Sequence, residues 1–405
     1  MSISGPSWIT AQAGQPGHDS APDLDAGSDA VPGLMAGVRR SSHRLADGRE
    51  LIYFDDAGPE DDTPRRVVHD TRALRPARHE CEVRRDPLTG DWIAIAADRN
   101  DRTYLPPAQE CPLCPTAPGG WPSEVPTPDY DVVVFENRFP SLSLRAPEVP
   151  ATVDGDPLWP RRPGTGRCEV VCFTSDHGSS FASLSPQRAR TVIEAWADRT
   201  RELSGFDGIE QVVCFENRGQ EIGVTLPHPH GQVYGYPYLT PRTDALVRRC
   251  REHAAAGAEL DLVGTVLAAE QASGRRIVAE SRSWTAFVPA AARWPVEVHL
   301  VPHRAVPDLA ALDGTEREEL SYLYLDLLRR LDRYFPGVPS LPYIAAWHQA
   351  PVHVDRSLVR LHLQVFSVLR APGKLKYLAG SESAMAAWVS DVRPEAIAAR
   401  LREVG

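Results

Sequence analysis

Short apolar runs that end in polar turns alternate along the chain with stretches of helical periodicity. The apolar runs predict extended strands at 92–96, 132–135, 168–173, 211–215, 284–288, 296–301, 343–348 and 360–366. Helices are predicted at 185–203, 243–257, 261–273 and from 313 to just before 336. Ser185 and Pro186 are typical of an N-cap and a first helical position, so the first helix begins there. Its predicted core-facing residues are Val192, Ile193, Ala195, Trp196 and Leu203.

The second half of the chain repeats the order of the first. His303 follows its strand as His177 follows the strand at 168–173, and an amphipathic helix comes after each. His362 then stands in the second half where His230 stands in the first. This similarity predicts an internal repeat of two α+β halves, each an antiparallel sheet with helices on one face.

The stretch Thr225–Gln232, with the sequence TLPHPHGQ, has polar side chains at alternate positions. Because alternate side chains of an extended segment point to one face, His228, His230 and Gln232 are predicted to line a single surface. The two prolines favour an extended edge or a loop over a helix. Gly231 allows a ligand or another backbone to approach closely. Taken alone, such a histidine pair is more typical of surface or metal-binding histidines than of a catalytic site.

Composition and charge exclude several classes of protein. The formal net charge of −10 over 405 residues gives no basic surface for nucleic acid. No apolar run approaches the roughly 20 residues that cross a bilayer, and the N-terminus lacks a signal pattern, so we expect a cytoplasmic protein with no membrane partner. Seven cysteines, an odd and sparse number, argue against a disulfide framework. Residues 1–40 are expected to form a disordered tail, with Met35 as an alternative start.

Two short polar motifs precede the central stretch. Cys111 and Cys114 form a CPLC motif, which is a redox pair, half of a metal site or a coincidence. If the motif binds metal, the remaining ligands must be distant histidines, for which His177 and His228 are the candidates. Arg99 and Arg102 follow the strand at 92–96, where they either bind a diphosphate or belong to a solvated turn.

Several motifs together resemble the galactose-1-phosphate uridylyltransferase family of the histidine-triad superfamily. They are PLTG followed by RxxR, CPLC, the FENRF run at 135–139, FENRG at 215–219, TLPHPHGQ and the segment KLKYLAGSE at 374–382. Their order matches as well as their identity, over about residues 41 to 385. The resemblance implies two histidine-triad-like halves, at 41–245 for the catalytic half and 246–405 for the C-terminal half.

The resemblance also implies a role for each matching residue. His230 is the nucleophile, and Gln232 donates its amide to the α-phosphoryl oxygens. Substrate contacts are expected from Arg99, Arg102, Phe135, Asn137, Asn217, Thr225, Gln232, Lys376 and Glu382. Ser381 stands where the family often has tyrosine, and this departure leaves the hexose preference open. The family's structural zinc corresponds to Cys111, Cys114, His177 and His228.

The chemistry explains why this pattern favours a transferase. A neutral imidazole attacks phosphorus and leaves readily, while its other nitrogen keeps a proton that a backbone carbonyl can accept. A glutamine amide at position 232 does not protonate a leaving group, whereas a histidine can, so the nucleotidyl enzyme survives until an acceptor arrives. The implied substrates are UDP-glucose and galactose 1-phosphate, in a ping-pong reaction. The alternatives are an adenylyl transferase or sugar-nucleotide phosphorylase with the same histidine chemistry, and a non-catalytic nucleotide-binding protein.

Two further expectations concern metal content and assembly. Some family members hold a second metal with a glutamate, a WH histidine and an HxH pair. Here His348 and His362 match, but Gln364 replaces the last histidine and the glutamate position falls near Leu246. We therefore expect no second metal, with His348 and His362 packed and hydrogen-bonded. A homodimer is the family's usual state.

Overall fold

The structure is a computed structural model that describes residues 34, 37–57, 66–74, 76–77 and 79–405. Most of the tail predicted for residues 1–40 lies outside these residues, and the first strand begins at Val38. In the part of the chain described, no helix is both long and apolar enough to cross a membrane.

The first half contributes nine strands and one long helix to the described structure. The strands are β1 Val38–Arg44, β2 Glu50–Asp56, β3 Glu82–Arg85, β4 Trp92–Ile95, β5 Val132–Glu136, β6 Arg161–Pro163, β7 Arg167–Cys172, β8 Gln211–Arg218 and β9 His230–Tyr236. Helix α1 spans Pro186–Ser204, and Ser185 caps it by accepting a hydrogen bond from the Arg188 backbone N–H. All five residues predicted to face the core from this helix are buried.

The second half contributes seven strands and five helices to the described structure. Its strands are β10 Ile277–Glu280, β11 Trp284–Phe287, β12 Val296–Pro302, β13 Tyr343–His348, β14 His362–Ser367, β15 Leu369–Ala371 and β16 Lys374–Leu375. Its helices are α2 Pro241–Ala255, α3 Leu262–Ser273, α4 Gly314–Asp332, α5 Gly380–Met385 and α6 Pro394–Glu403. Asp313 and Glu316 form a reciprocal capping box at the start of α4.

Eleven of the strands in the described residues form one antiparallel sheet, in the order β1-β2-β5-β7-β9-β8-β13-β14-β12-β11-β10. The sheets of the two halves therefore join edge to edge where β8 pairs with β13. On either side of this junction the order is equivalent, β5-β7-β9-β8 and β11-β12-β14-β13, which is the predicted internal repeat. The predicted fold class is confirmed, and the junction adds that one sheet serves both halves.

One face of the sheet is covered by α1 and α4. Their apolar side chains share a single core with the strands, in which Trp196 of α1 lies 6.4 Å from Trp347 of β13 between ring centroids. Val233 of β9 points into this core. Because side chains alternate along a strand, His230, Gln232 and Tyr234 point to the opposite face. A small sheet of β3, β4 and β6 is separate from the large one.

Candidate active site and metal centre

The predicted extended segment enters the middle of the large sheet. Strand β9 begins at His230 and pairs on both sides, so that His230 lies opposite Cys172 of β7 and Gln232 opposite Phe215 of β8. A side chain at Gly231 would come within 2.8 Å of both the Phe215 carbonyl oxygen and the Phe173 ring. Glycine is therefore needed here by the close approach of the neighbouring strand, as the sequence predicted.

His230 is held in one tautomer by its own backbone turn. Its Nδ1 lies 2.8 Å from the carbonyl oxygen of His228. Since a carbonyl oxygen only accepts, Nδ1 carries the proton and Nε2 keeps its lone pair. Burial lowers the pKa of His230, which favours the neutral ring. An imidazole in this state is a nucleophile at Nε2.

Gln232 is oriented by a tyrosine of the same strand. The Tyr234 hydroxyl donates a hydrogen bond to Gln232 Oε1 at 2.9 Å. The carbonyl end of the amide is thereby occupied, and its N–H groups are the donors directed to a ligand. Tyr234 itself packs edge-on against Phe215, with ring centroids 5.1 Å apart.

Most predicted substrate residues line one cavity of about 210 Å³ in front of His230. They are Arg99, Arg102, Phe135, Asn137, Thr225 and Gln232, and the predicted nucleophile His230 lines the cavity with them. The Arg99 guanidinium donates to the Phe139 carbonyl at 3.1 Å, which holds it at the wall. The cavity thus combines guanidinium groups, an aromatic ring and amides, a set that fits a phosphorylated nucleoside.

A second cavity of about 340 Å³ meets the first at His230 and Leu226. It contains the predicted residue Asn217 together with Ser179, Ser180 and Arg218. His230 therefore borders both cavities.

Lys376 and Glu382 line neither of these cavities. They form an ion pair with each other, with Nζ 3.1 Å from Oε1, and Nζ also donates to the Val389 carbonyl. Lys376 is 3% exposed. Within the described residues of this single chain the pair is thus engaged locally, and its predicted contact with a sugar phosphate stays a prediction.

Cys111, Cys114, His177 and His228 meet at one point. Their ligand atoms all lie within 4.8 Å of one another, and Cys114 Sγ is 3.3 Å from His177 Nδ1 and 3.5 Å from His228 Nδ1. A tetrahedral ion with bonds of about 2.3 Å to sulfur and 2.0 Å to nitrogen separates such atoms by about 3.6 Å. These residues therefore fit a metal ion, and they join the CPLC loop to the strands that carry the site.

His228 is oriented for metal binding by contacts on its far nitrogen. Its Nε2 lies 2.8 Å from the Thr174 carbonyl and 2.7 Å from the Tyr130 hydroxyl, which itself donates to the Leu113 carbonyl. Nε2 is therefore the protonated nitrogen, and Nδ1 faces the cysteines. Burial lowers the pKa of His228 to about 4, which keeps the ring neutral as a metal ligand must be.

His348 and His362 stack on each other in the second half, with centroids 4.8 Å apart. His362 Nδ1 donates to the Arg360 carbonyl at 3.1 Å, a copy of the His230 contact. Gln364 accepts from Arg242 and donates to Glu297 at 2.6 Å. Among the described residues, only the Cys/His cluster brings three or more metal-ligating side chains together.

Family models match nearly all of the described chain. The galactose-1-phosphate uridyl transferase N-terminal domain matches residues 73–240, and the C-terminal domain of the same family matches residues 249–404. The chain belongs to the galactose-1-phosphate uridylyltransferase family.

Curated members of this family are similar over almost their full length. The galactose-1-phosphate uridylyltransferase of Streptomyces lividans is 48% identical over 381 residues, covering 91% of this chain and 98% of the relative. That of Thermotoga maritima is 33% identical over 324 residues, covering 80% and 98%. A solved uridylyltransferase structure has a TM-score of 0.69 at 31% identity, covering 80% of this chain and 98% of the other.

The fold extends to a relative with a different nucleotide. An ADP-glucose phosphorylase from Arabidopsis thaliana has a TM-score of 0.59 at 21% identity and covers 80% of this chain. At that identity the likeness concerns the fold alone.

Three residues at the site escaped the sequence analysis. Tyr234 follows Gln232 by two positions, and the alternation along β9 was a signal that indicated it. Tyr130 and Glu124 lie in an irregular segment, where no periodicity points to them. Their positions depend on how the CPLC loop folds against β5 and β9, which only the structure reveals.

Proposed function

We propose that the protein transfers a uridylyl group from UDP-glucose to galactose 1-phosphate, through a covalent intermediate on His230. The observation that carries the proposal is the His230 ring between two cavities, with Nδ1 bonded to the His228 carbonyl at 2.8 Å and Gln232 on the same face. The family relationship supports the choice of substrates.

In the first step Nε2 of His230 attacks the α-phosphorus of UDP-glucose. A nitrogen–phosphorus bond forms, and the bond from that phosphorus to the bridging oxygen breaks, with its electron pair leaving on glucose 1-phosphate. The ring becomes positively charged, and the His228 carbonyl stabilises this charge through the Nδ1 proton. The Gln232 amide donates to the α-phosphoryl oxygens.

In the second step a phosphate oxygen of galactose 1-phosphate attacks the same phosphorus. The nitrogen–phosphorus bond breaks, its electron pair returns to Nε2, and UDP-galactose forms. The attacking group is already an anion, so no general base is needed. Two in-line displacements retain the configuration at phosphorus.

The remaining cavity residues bind substrate in this proposal. Arg99 and Arg102 neutralise the diphosphate, since guanidinium groups match phosphate oxygens. Phe135, Asn137 and Thr225 contact the nucleoside side, and Asn217 contacts the substrate from the second cavity.

We assign zinc to the cluster of Cys111, Cys114, His177 and His228, because two thiolates and two imidazoles suit this ion. When bound, the ion contributes folding free energy and ties the CPLC loop to the active-site strands. Metal analysis should find about one zinc per chain; stoichiometric iron would contradict the expectation, based on Gln364, that the second half binds no metal. The homodimer and the cytoplasmic location stay predictions.

Intact-protein mass spectrometry tests the proposed function. The protein is mixed with UDP-glucose without acceptor, and we expect a uridylyl adduct that galactose 1-phosphate discharges. His230→Ala should form no adduct. The matched control is His362→Ala, because that histidine has the same Nδ1-to-carbonyl contact in the second half and should leave the adduct intact.

The outcomes separate the alternatives. An adduct with ADP-glucose but none with UDP-glucose would keep the mechanism and overturn the uridylyl assignment. No adduct with either donor would contradict a covalent transferase.

A further inference from the structure

Glu124 is a carboxylate in a cavity that is otherwise cationic. It is 7% exposed and lines the cavity of Arg99, Arg102 and His230, where it is the one acidic side chain among the described residues of the wall. None of the roles assigned above uses it.

Glu124 lies where this cavity meets a neighbouring cavity that His230 does not line. His230 forms the boundary with the cavity that contains Asn217. A further cavity of about 460 Å³ shares Thr103, Pro112, Glu124 and Arg138 with this one. In the function proposed above the nucleoside lies in this cavity beside Phe135 and Asn137, so Glu124 belongs to the wall that surrounds it.

Three arginines hold the carboxylate in the wall. The fully buried Arg49 donates from Nη2 to Oε2 at 2.5 Å. Oε1 lies 3.4 Å from Arg72 Nη1 and 3.7 Å from Arg138 Nη1, which are charge contacts rather than short hydrogen bonds. Oε2 is thus engaged by the protein, and Oε1 retains capacity to accept from a ligand.

The backbone around Glu124 is fixed to the metal-binding loop. Its N–H donates to the Pro112 carbonyl at 2.8 Å, and the Ser123 hydroxyl donates to the Cys114 carbonyl at 2.5 Å. Both acceptors belong to the CPLC motif. The same loop that closes the Cys/His cluster therefore sets the position of the carboxylate.

The charge of Glu124 decides which part of a nucleotide it meets. A carboxylate repels phosphate oxygens, so it serves neutral hydrogen-bond donors, and the vicinal hydroxyls of a ribose are donors that carboxylates recognise in other nucleotide sites. We propose that Glu124 binds the ribose hydroxyls of the sugar-nucleotide donor and sets the preference for a ribonucleotide. The proposal deepens the function proposed above and rests on it.

The test compares nucleotides with and without each hydroxyl by titration calorimetry, so that it does not require turnover. UDP, 2′-deoxy-UDP, 3′-deoxy-UDP and N3-methyl-UDP are titrated into the wild-type protein and into Glu124→Gln. We expect wild type to bind one deoxy analogue about ten- to hundredfold more weakly than UDP, the usual effect of losing a bond to a charged group. In Glu124→Gln that penalty should shrink to less than about threefold.

A control variant separates this role from a structural one. Asp70→Asn removes the other carboxylate bonded to Arg72, at 2.7 and 2.8 Å, without touching the cavity. Asp70→Asn should lose as much affinity for the deoxy analogue, relative to UDP, as wild type does. If the deoxy analogues lose as much affinity relative to UDP in Glu124→Gln as in wild type, the proposal is overturned. It is also overturned if Glu124→Gln abolishes only the loss of affinity for N3-methyl-UDP, since Glu124 would then contact the base.

The two proposals fail in different ways. If no adduct forms with either sugar nucleotide, the covalent transfer fails, while the difference between UDP and its deoxy analogues still tests Glu124. If UDP does not bind, the same comparison is made with ADP and its deoxy analogues; failure of both diphosphates to bind would overturn the assignment of a nucleotide site.

Discussion

At the scale of single residues, the site depends on hydrogen bonds that select one tautomer or one orientation of a side chain. The His228 carbonyl removes one tautomer of His230, and the Tyr234 hydroxyl removes one orientation of the Gln232 amide. Neither contact involves substrate, yet each determines which atom a substrate meets. Preorganised polar groups of this kind stabilise charge in the transition state without having to reorient.

Tyr234→Phe should lower the rate of adduct formation by about tenfold, because the Gln232 amide loses the bond that orients it. The rate is measured by quenched mass spectrometry with UDP-glucose, together with the melting temperature. Tyr236→Phe is the control, since Tyr236 lies further along β9 and makes no contact with Gln232 among those described. Equal rates for both variants would contradict the orienting role.

A second prediction concerns Glu216, which is buried beside the active-site strand. Burial raises its pKa to about 7, with Tyr343 and Arg218 acting in the opposite direction and Asp332 in the same one. The folded protein thus binds the proton more tightly than the unfolded chain does. This contribution to stability is complete below about pH 4.5 and is lost as the pH rises through about 7.

Glu216→Gln should therefore remove part of the pH dependence of unfolding. At pH 5 the variant and wild type should have similar free energies of unfolding. At pH 8 the variant should be more stable, by up to about 3 kcal/mol, because it buries no charge. Urea unfolding between pH 5 and 8 measures both curves, and parallel curves would show that Glu216 does not titrate as its burial implies.

At the scale of elements, the segment that leads into β9 and the segment that leads into β14 are attached to the rest of the fold by different kinds of contact. In the first half, the Cys/His cluster includes His228, two residues before His230. In the second half, Arg360 stands two residues before His362. It donates to the carbonyls of Pro302 and His303, at 3.2 and 3.0 Å, and pairs with Asp261 at 2.6 Å. An ion pair therefore joins β12, β14 and the start of α3 where the first half has metal ligands.

Arg360→Met should lower the free energy of unfolding by about 3–5 kcal/mol, because Asp261 is left as an unpaired, largely buried carboxylate. Adding Asp261→Asn should recover part of this loss. Arg248→Met is the control: Arg248 is paired with Asp244 at the surface, where the side chains are 60% and 46% exposed, and its loss should cost less than about 1 kcal/mol. Denaturant unfolding measures all four proteins, and similar values for Arg360→Met and Arg248→Met would contradict a structural role for the buried pair.

At the scale of the whole molecule, the sequence predicted the units but not their connection. The alternation in TLPHPHGQ and the cap at Ser185 predicted β9 and the start of α1, because both signals are local. Strand β2 was not predicted, although its residues Leu51–Asp55 are all buried, as are those of the predicted strands β5 and β7. The β8–β13 pairing also went unnoticed, since it joins residues more than a hundred positions apart and no local signal specifies it.

That pairing predicts that the two halves unfold together. Besides the β8–β13 junction, α1 and α4 share one core, and Arg317 of α4 pairs with Glu194 of α1 at 2.6 Å with both side chains buried. Separating the halves would expose a sheet edge and half of a core, so neither half has an independent stable state.

Metal removal provides the measurement. The ligands lie in the first half, so chelation destabilises that half directly; if the halves are coupled, the second half must lose stability with it. We expect dialysis against a chelator to lower the melting temperature of one cooperative transition. Hydrogen exchange in β11 and β12 should accelerate together with exchange in β7, because opening of either half then requires opening of both. A chelated protein that melts in two steps, with β11 and β12 still protected after β7 has exchanged, would show that the continuous sheet does not couple the halves.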